Sequence, residues 1–304
     1  MYYRAVDGDH FSSVGYCTLI DNKIIKRLDH PLLNREHPYE RHGVEDPRIT
    51  QIDGLYYLVY TVYDGKNATF AYATSGDLHH FTKHGVIAPQ LTYKEVGLLL
   101  GKVADLNEGY HYFETHTTKI AGENVLVWEK DAVLFPKKID GKFVMLHRIL
   151  PGIQICFFEK FEDLKTPFWE DHIKNLNQHI LLEPKYPHEN AYVGGGCPPI
   201  ETEKGWLIIY HSVEEKGRGK IYHASAALLD LHDPRKVIGR LKEPLFSPSS
   251  EWEKVGEVNN VVFPTGTIVQ KDKLTIYYGA ADSVIAAKSM SLSELIRVLL
   301  DSGV

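Results

Sequence analysis

The stretch 53-DGLYYLVYT-61 joins a polar two-residue turn to a run of aromatic and aliphatic side chains. Asp-Gly is a preferred pair for the tight turn of a β-hairpin, and aromatic and β-branched residues favour strands. The run therefore predicts a strand that pairs with the segment before it. Four further runs of this kind occur, and polar turns precede three of them. The five runs are 1-MYYRA-5, 57-YLVYT-61, 144-VMLHR-148, 207-LIIYH-211 and 275-TIYYG-279.

The segments around these runs recur in a fixed order. A second strand candidate follows each run, and several units end in a further short apolar segment. Four units also carry a proline-containing apolar segment before the run: 46-DPRITQI-52, 131-DAVLFPKKI-139, 197-CPPIET-202 and 261-VVFPTGTIV-269. A unit of about four strands that recurs every 55 to 90 residues or so is typical of propeller blades. We therefore predict an all-β fold, a five-bladed β-propeller that forms a single domain over residues 1–304. An unrelated all-β sandwich with coincidental spacing is the alternative.

Three segments depart from this repeat. No proline-containing segment precedes 1-MYYRA-5, so the innermost strand of the first blade is missing or another segment fills its place. Leucine and isoleucine recur at helical spacing in 291-SLSELIRVLLDSGV-304, which predicts a short C-terminal helix. The long segment 90–131 lies within the second unit, and its aromatic residues predict a hairpin.

Composition narrows the class of protein. The net charge of −6 disfavours nucleic acid or an anionic membrane as a partner, and 43% hydrophobic residues fit a globular protein. We find no apolar run long enough for a membrane span and no signal-peptide pattern. The three distant cysteines predict neither disulfides nor a zinc site. We expect a cytoplasmic protein without a metal or cofactor, and homo-oligomerisation is left open.

The inner strands of a propeller line one channel, so residues at their entrances converge although they are distant in sequence. The entrance 43-GVEDPRI-49 carries Asp46 and Arg48. Comparable positions carry Lys130 and Asp131, Tyr192 and 194-GGG-196, Glu257, Asn259 and Asn260, and nearby turns add His147, Arg148, Tyr210, His211 and Asp282. Carboxylates, bases and aromatic rings at a channel mouth suit a polar ring-shaped ligand such as a sugar. The residues predicted to contact the sugar are Arg4, Arg48, Tyr192 and Asp282.

Each of these residues also has a structural interpretation. Asp46 could cap a strand or pair with Arg48. Arg148 and His211 could satisfy buried carbonyl groups, and the three glycines could form only a tight turn. The sixteen histidines show no metal-binding spacing, which disfavours a metal site.

Five sets of motifs, in order along nearly the whole chain, resemble glycoside hydrolase family 130. They are 43-GVEDPRI-49, 131-DAVLFPKKIDGKFVMLHR-148, 193-VGGGCPPIETEKGWLIIYH-211, 227-ALLDLHDPRKVIGR-240, and 261-VVFPTGTIV-269 with 277-YYGAADSVI-285. The family consists of five-bladed propellers that act as inverting β-mannoside phosphorylases or β-1,2-mannosidases. The resemblance therefore implies the same fold and a β-mannoside oligosaccharide as substrate.

The resemblance also implies roles for individual residues. Asp46 matches the general acid of the family. In a phosphorylase, phosphate would be held at Lys130, Arg148, His211 and Tyr222. Family phosphorylases have a lysine or arginine just before the glycine run, where this chain has Tyr192, and losing a cation weakens an anion site. In hydrolytic relatives carboxylates activate water, and Glu189 is the candidate for that part.

Phosphorolysis with inversion, giving mannose 1-phosphate, is the function that these residues favour, because all four phosphate-site residues are present. Inorganic phosphate would then be a co-substrate. An inverting β-1,2-mannosidase is the first alternative, and a five-bladed furanosidase such as an arabinanase is another. A non-catalytic sugar-binding propeller is the alternative from a different class.

Overall fold

The computed structural model describes residues 1–217 and 219–303, which are mostly β-strand. The strands are β1 (Tyr2–Val6), β2 (Ser12–Ile20), β3 (Lys23–Arg27), β4 (Gly43–Ile52), β5 (Leu55–Tyr63), β6 (Ala68–Ser75), β7 (Thr82–Val86), β8 (Lys130–Leu134), β9 (Phe143–Arg148), β10 (Ile153–Phe158), β11 (Ile180–Leu182), β12 (Tyr192–Gly195), β13 (Ile200–Thr202), β14 (Gly205–Lys216), β15 (Gly219–Leu229), β16 (Val237–Arg240), β17 (Val262–Gln270), β18 (Lys273–Ala280) and β19 (Val284–Ser291). The helices are α1 (Tyr93–Leu100), α2 (Glu108–Ala121), α3 (Thr166–Lys174), α4 (Glu251–Lys254) and α5 (Leu292–Ser302).

Neighbouring strands pair antiparallel into four sheets. In the first sheet, β1 to β3 and β4 to β7 are joined by a single parallel pair between Ser12 and Gly43. The other sheets contain β8 to β11, β12 to β16, and β17 to β19. All five predicted aromatic-aliphatic runs are strands, and each pairs with the strand candidate that follows it.

The Asp53-Gly54 turn has the geometry that the sequence predicts. Asp53 and Gly54, between β4 and β5, both have left-handed backbone angles, with φ of 50° and 83°. Tight hairpin turns require positive φ at their central residues, which Asp and Gly tolerate. The turn therefore fixes the pairing of Ile52 with Leu55.

The predicted hairpin in segment 90–131 is wrong, because the segment contains α1 and α2. Thr92 caps α1: Glu95 N donates to the Thr92 hydroxyl at 3.2 Å, and Thr92 N donates to the Glu95 carboxylate at 2.8 Å. Asn107 caps α2 by accepting from Gly109 N at 2.9 Å. Local capping therefore outweighed the strand propensity of the aromatic residues.

A buried glutamate precedes the first strand of three units and binds the same kinds of partner. Each carboxylate accepts from two backbone amides and from a tyrosine hydroxyl on the second strand, and it pairs with a cation from a later strand. These glutamate brackets are Glu40 with Tyr60 and Lys83, Glu189 with Tyr210 and Arg240, and Glu253 with Tyr278 and Lys288. The brackets tie the strands of a unit together.

This placement corrects the role predicted for Glu189. Its carboxylate accepts from Lys185 N, Tyr186 N and the Tyr210 hydroxyl at 2.8–3.0 Å, and Arg240 Nη2 lies 2.8 Å away. Glu189 is fully buried, and its oxygens are occupied by these donors. A carboxylate so occupied is part of the scaffold and does not activate water. The signal was present in the sequence, because 36-EHPYE-40 and 185-KYPHE-189 repeat the same pattern.

We expect Glu253→Gln to remove acid-sensitive stability. Burial alone would raise the pKa of Glu253, but donors from Tyr278, Ser250 and Ser249 lower it to about 2. The unfolded value is about 4.3, so the charged bracket contributes about 3 kcal/mol above that pH, and this is lost as pH falls toward 2. In urea titrations, the stability difference between wild type and Glu253→Gln should shrink between pH 7 and pH 2.5. Glu251→Gln, on the exposed face of the same helix, should show no such change.

The C-terminal helix is confirmed as α5. Ser291 caps it by accepting from Glu294 N at 3.1 Å, and Leu295, Ile296 and Leu299 are buried against the sheet. Among the helices in the described ranges, none has the length and apolar character needed to cross a membrane.

Candidate active site

Asp46 lies at a bulge in β4, where the register with β5 shifts, and its φ is 49°. Asp131 repeats this geometry in β8, with a register shift against β9 and a φ of 62°. A bulge redirects side chains, and positive φ is strained for residues other than glycine. Two units therefore present a carboxylate at corresponding strand entrances.

The repeat of the second strands positions the two basic side chains that face Asp131. In 144-VMLHR-148 and 207-LIIYH-211, the fourth residues, His147 and Tyr210, contact the buried glutamates Glu129 and Glu189. Side chains alternate across a strand, so the fifth residues, Arg148 and His211, lie on the other face. There, Arg148 Nη1 is 2.7 Å from Asp131 Oδ2. His211 Nε2 is 3.8 Å from the same oxygen.

Arg48 fixes the backbone of the bulge. Its Nη1 donates to the Asp46 carbonyl oxygen and its Nε to the Gly196 carbonyl oxygen, both at 2.7 Å. Its guanidinium carbon also lies 5.5 Å from the centre of the Phe263 ring. Arg48 therefore contacts the backbone of Asp46 and not its carboxylate, and within the described part of the chain that carboxylate has no hydrogen-bond or ion-pair partner.

The pKa of Asp46 is raised. Burial is the largest cause and outweighs the guanidinium of Arg48 and the ammonium of Lys130, which lower the pKa, while the carboxylates of Glu45 and Asp131 raise it further. The sequence did not show whether burial or Arg48 has the larger effect on the pKa of Asp46, and in the structure burial has the larger effect. A raised pKa favours the protonated carboxyl group, which is the form that a general acid requires.

The rim beside Asp46 carries alternating charges. Glu45 lies between two cations, 3.3 Å from Arg4 Nη2 and 3.4 Å from Lys130 Nζ. Asp282 lies exposed in the turn after β18, and its pKa is raised by desolvation, against the effect of Arg4 and with a contribution from Asp46. Carboxylates and cations at this rim can exchange hydrogen bonds with sugar hydroxyl groups.

Tyr192 lies where three elements meet. Its hydroxyl is 2.7 Å from the Tyr222 hydroxyl, and its ring centre is 5.3 Å from the guanidinium carbon of Arg148. Lys220 Nζ lies 5.2 Å from the same ring. Lys220 had no role in the sequence prediction, although it precedes Tyr222 by two residues and so shares its face of β15. The chain thus places a cation beside the position where the resemblance implied one.

Three buried nitrogen atoms of this cluster have no partner among the described residues. They are Arg48 Nη2, Arg148 Nε and His211 Nε2. A buried polar atom without a hydrogen-bond partner costs free energy, so each of these atoms is available to a bound ligand, the two guanidinium nitrogens as donors and His211 Nε2 as an acceptor when Nδ1 donates to Gly195. Guanidinium groups are favoured ligands of planar and tetrahedral anions. The arrangement can therefore bind an anion between β4, β9 and β14.

The glycine run permits this packing. His211 Nδ1 lies 3.1 Å from the Gly195 carbonyl oxygen, which directs Nε2 toward Asp131. A Cβ atom on Gly194 would lie 2.6 Å from His211 Nε2 and 2.9 Å from Asp131 Oδ2. The run therefore serves a close approach as well as a turn. Burial lowers the pKa of His211 to about 4 despite the nearby carboxylate, so its ring is neutral at pH 7.

The structure brings nine of the ten predicted site residues together at these strand entrances, eight of them in connected contacts and Asp282 through its electrostatic interaction with Arg4 and Asp46, and Glu189 is the exception. The nine are Arg4, Asp46, Arg48, Lys130, Arg148, Tyr192, His211, Tyr222 and Asp282. The sequence prediction assigned no role to Glu45, Lys220 or Phe263, whose ring centre is 4.6 Å from that of His211. It placed Asp131 at a strand entrance, in the position of the repeat that corresponds to Asp46, but gave it no specific role. No group of metal-binding side chains occurs in the portions that the structure covers.

Comparisons with known proteins identify the family of the chain. A family model described as β-1,4-mannooligosaccharide phosphorylase, Glyco_hydro_130, matches residues 1–301. A 1,2-β-oligomannan phosphorylase of Thermoanaerobacter sp. (strain X514) is 36% identical over 97% of this chain and 86% of its own. The β-1,2-mannobiose phosphorylase of Listeria innocua, solved in complex with β-1,2-mannobiose, has a TM-score of 0.72 and 28% identity over 95% of this chain and 69% of its own.

A further solved structure comes from work on GH130 glycoside hydrolases that target β-1,2 mannosidic linkages in Candida mannan. It has a TM-score of 0.69 and 26% identity, covering 96% of this chain and 80% of that one. These findings confirm the resemblance drawn from the five motifs and favour a mannoside over an arabinan. The chain belongs to glycoside hydrolase family 130.

Proposed function

We propose that this protein cleaves β-1,2-linked oligomannosides by phosphorolysis and releases α-mannose 1-phosphate. The three buried nitrogen atoms without partners, on Arg48, Arg148 and His211, carry this proposal because they form a preorganised anion site. The phosphorylase names of the relatives support it, and those named above as enzymes act on β-1,2-linked mannosides.

In the proposed reaction a phosphate oxygen attacks the anomeric carbon as the bond to the leaving oxygen breaks. Asp46 supplies the proton that the leaving oxygen needs, directly or through a sugar hydroxyl group. The attack comes from the face opposite the leaving group, so the configuration inverts from β to α. The raised pKa of Asp46 and the absence of an ion-pair partner for its carboxylate in the described ranges support this role.

Phosphate is held in this proposal by Arg148, His211, Lys130 and the Tyr222 hydroxyl, as the resemblance implies, and also by Arg48 Nη2. Asp131 orients Arg148 through the 2.7 Å ion pair, which leaves Arg148 Nε free to donate. The neutral ring of His211 can accept the proton of a P–OH group at Nε2. Lys220 supplies positive charge beside Tyr192, where the family pattern has a cation.

We also propose that residues 1–304 form one domain, a five-bladed propeller closed around this site. Contacts between the units support this arrangement: Arg48 of β4 reaches Gly196, and Phe263 of β17 packs on His211. The Tyr277 hydroxyl donates to Asn22 Oδ1 at 2.6 Å, which links the last sheet to the first. In the first unit, β1 takes the second-strand position predicted for 1-MYYRA-5.

The test is phosphate dependence. We expect β-1,2-mannobiose and β-1,2-mannotriose to yield mannose 1-phosphate, with a rate that saturates with phosphate and vanishes without it. β-1,4-Mannobiose serves as the linkage comparison. Free mannose released at an undiminished rate without phosphate would instead support the β-1,2-mannosidase alternative, which Tyr192 in place of a cation favours. Binding of mannobiose without any turnover would support a sugar-binding propeller.

A further inference from the structure

The helix α2, which the sequence did not predict, forms a wall beside the candidate site. The Phe113 ring centre lies 6.3 Å from that of Tyr192, at an interplanar angle of 83°. One turn earlier, the buried Tyr110 hydroxyl accepts from Gln154 Nε2 at 3.0 Å. The helix is therefore anchored to the sheet, and its Phe113 side chain faces the cluster.

Aromatic rings continue outward from Phe113 along this helix. The Tyr112 ring centre is 5.5 Å from that of Phe113. His116, one turn further, stacks on Tyr112 with ring centres 5.5 Å apart and an interplanar angle of 12°. The Tyr112 side chain is 61% exposed. A row of rings thus leads from Tyr222 and Tyr192 at the buried cluster to solvent.

The exposed Tyr112 ring is connected to Tyr192 through Phe113, so it can contact a ligand that extends outward from the cluster. Residues four apart on a helix share a face, so Tyr112 and His116 stack on each other on one side of α2, and the exposed part of this stacked pair faces solvent. Planar rings with a polar edge suit the apolar face of a pyranose while leaving its hydroxyl groups hydrated. Two ring-to-ring contacts, of 5.5 Å and 6.3 Å between ring centres, separate Tyr112 from Tyr192, so Tyr112 would meet a part of the ligand that lies outside the anion cluster.

We propose that Tyr112 and His116 form a platform that binds a mannose unit beyond the disaccharide whose bond is cleaved. This inference rests on the proposed function and assigns it a preference for chains longer than two sugars. The occupant is the oligomannoside itself, because the platform is continuous with the site where that substrate reacts.

The experiment compares chain lengths in wild type, Tyr112→Ala and His116→Ala. Initial rates with saturating phosphate give kcat/KM for β-1,2-mannobiose and β-1,2-mannotetraose. Losing the tyrosine ring should lower kcat/KM for the tetraose by about tenfold, mainly through KM, and leave the biose value unchanged. Tyr112→Phe keeps the ring and should retain most of the preference. Leu98→Ala is the control, since Leu98 is 65% exposed on the neighbouring α1.

Equal effects on biose and tetraose, or no effect on either, would overturn the platform. A change of oligomeric mass in Tyr112→Ala, measured by light scattering, would overturn it too, because the surface would then be a contact between subunits. If wild type turns over neither substrate, the proposed function fails separately. In that case the affinity for mannotetraose is measured by calorimetric titration of wild type and Tyr112→Ala. Weaker binding by Tyr112→Ala supports the platform, and unchanged binding contradicts it.

Discussion

The Asp46→Asn variant is expected to lose about 10²- to 10⁴-fold in kcat for mannobiose phosphorolysis, the range that a general acid contributes. Asparagine tolerates the left-handed backbone at this bulge, so the fold and the melting temperature should stay unchanged. Activity should return toward wild type with 2,4-dinitrophenyl β-mannoside, because its leaving group departs without a proton. Steady-state rates on both substrates provide the measurement.

Two observations make this test specific. Asp140→Asn replaces an exposed turn aspartate with nearly the same φ, 50°, and should behave as wild type. The wild-type rate should fall as pH rises through the raised pKa of Asp46, since the acid must be protonated. This alkaline fall should disappear in Asp46→Asn with the activated substrate. Equal losses on both substrates would refute the acid role.

The second large effect is expected from Arg148→Met, on phosphate binding and on stability. We expect the KM for phosphate to rise by about 10- to 100-fold, the value of a charge-assisted hydrogen bond. Stability should also fall by about 3–5 kcal/mol, because Asp131 would be left buried without its cation. Phosphate titrations and urea unfolding measure the two effects separately.

Arg240→Met is the matched control for Arg148→Met. Arg240 is also buried and ion-paired, with Glu189, but it belongs to a bracket and not to the anion site. It should lose comparable stability while the KM for phosphate stays at the wild-type value. A rise in phosphate KM in both variants would mean that Arg148 acts only through the fold.

The repeat of strands was readable from sequence because each strand carries its own local signal. Turn pairs such as Asp53-Gly54 and the alternation within 207-LIIYH-211 depend on near neighbours only. The repeat also placed Arg148 and His211 at the channel mouth, together with His147 and Tyr210, and the family resemblance selected Arg148 and His211 among them. The acid at position 46 came from the family resemblance.

The features that the sequence did not predict correctly are those for which two local signals compete or for which distant residues decide. For segment 90–131 the prediction gave more weight to the aromatic residues than to Thr92 and Glu95. The spacing of three residues between Thr92 and Glu95 is a helix-capping signal, and the helix is what forms. Glu189 was assigned from its closeness in sequence to Tyr192, whereas its contacts run to Arg240, 51 positions later. Whether burial or Arg48 controls the pKa of Asp46 required three-dimensional packing.

The unit that supplies Arg148 departs from the bracket pattern. Its buried Glu129 faces His147, which in turn contacts His172, and no lysine or arginine neutralises it among the described residues. Burial lowers the pKa of His172, so that ring contributes no positive charge at neutral pH. The Arg148 backbone amide donates to this carboxylate at 3.2 Å. Burial alone would lower the pKa of the Arg148 guanidinium, but Asp131 and, to a smaller extent, Glu129 raise it. Two carboxylates thus hold Arg148 at opposite ends of the residue, Asp131 at its guanidinium and Glu129 at its backbone amide, so its side chain starts from a restrained position before any substrate arrives.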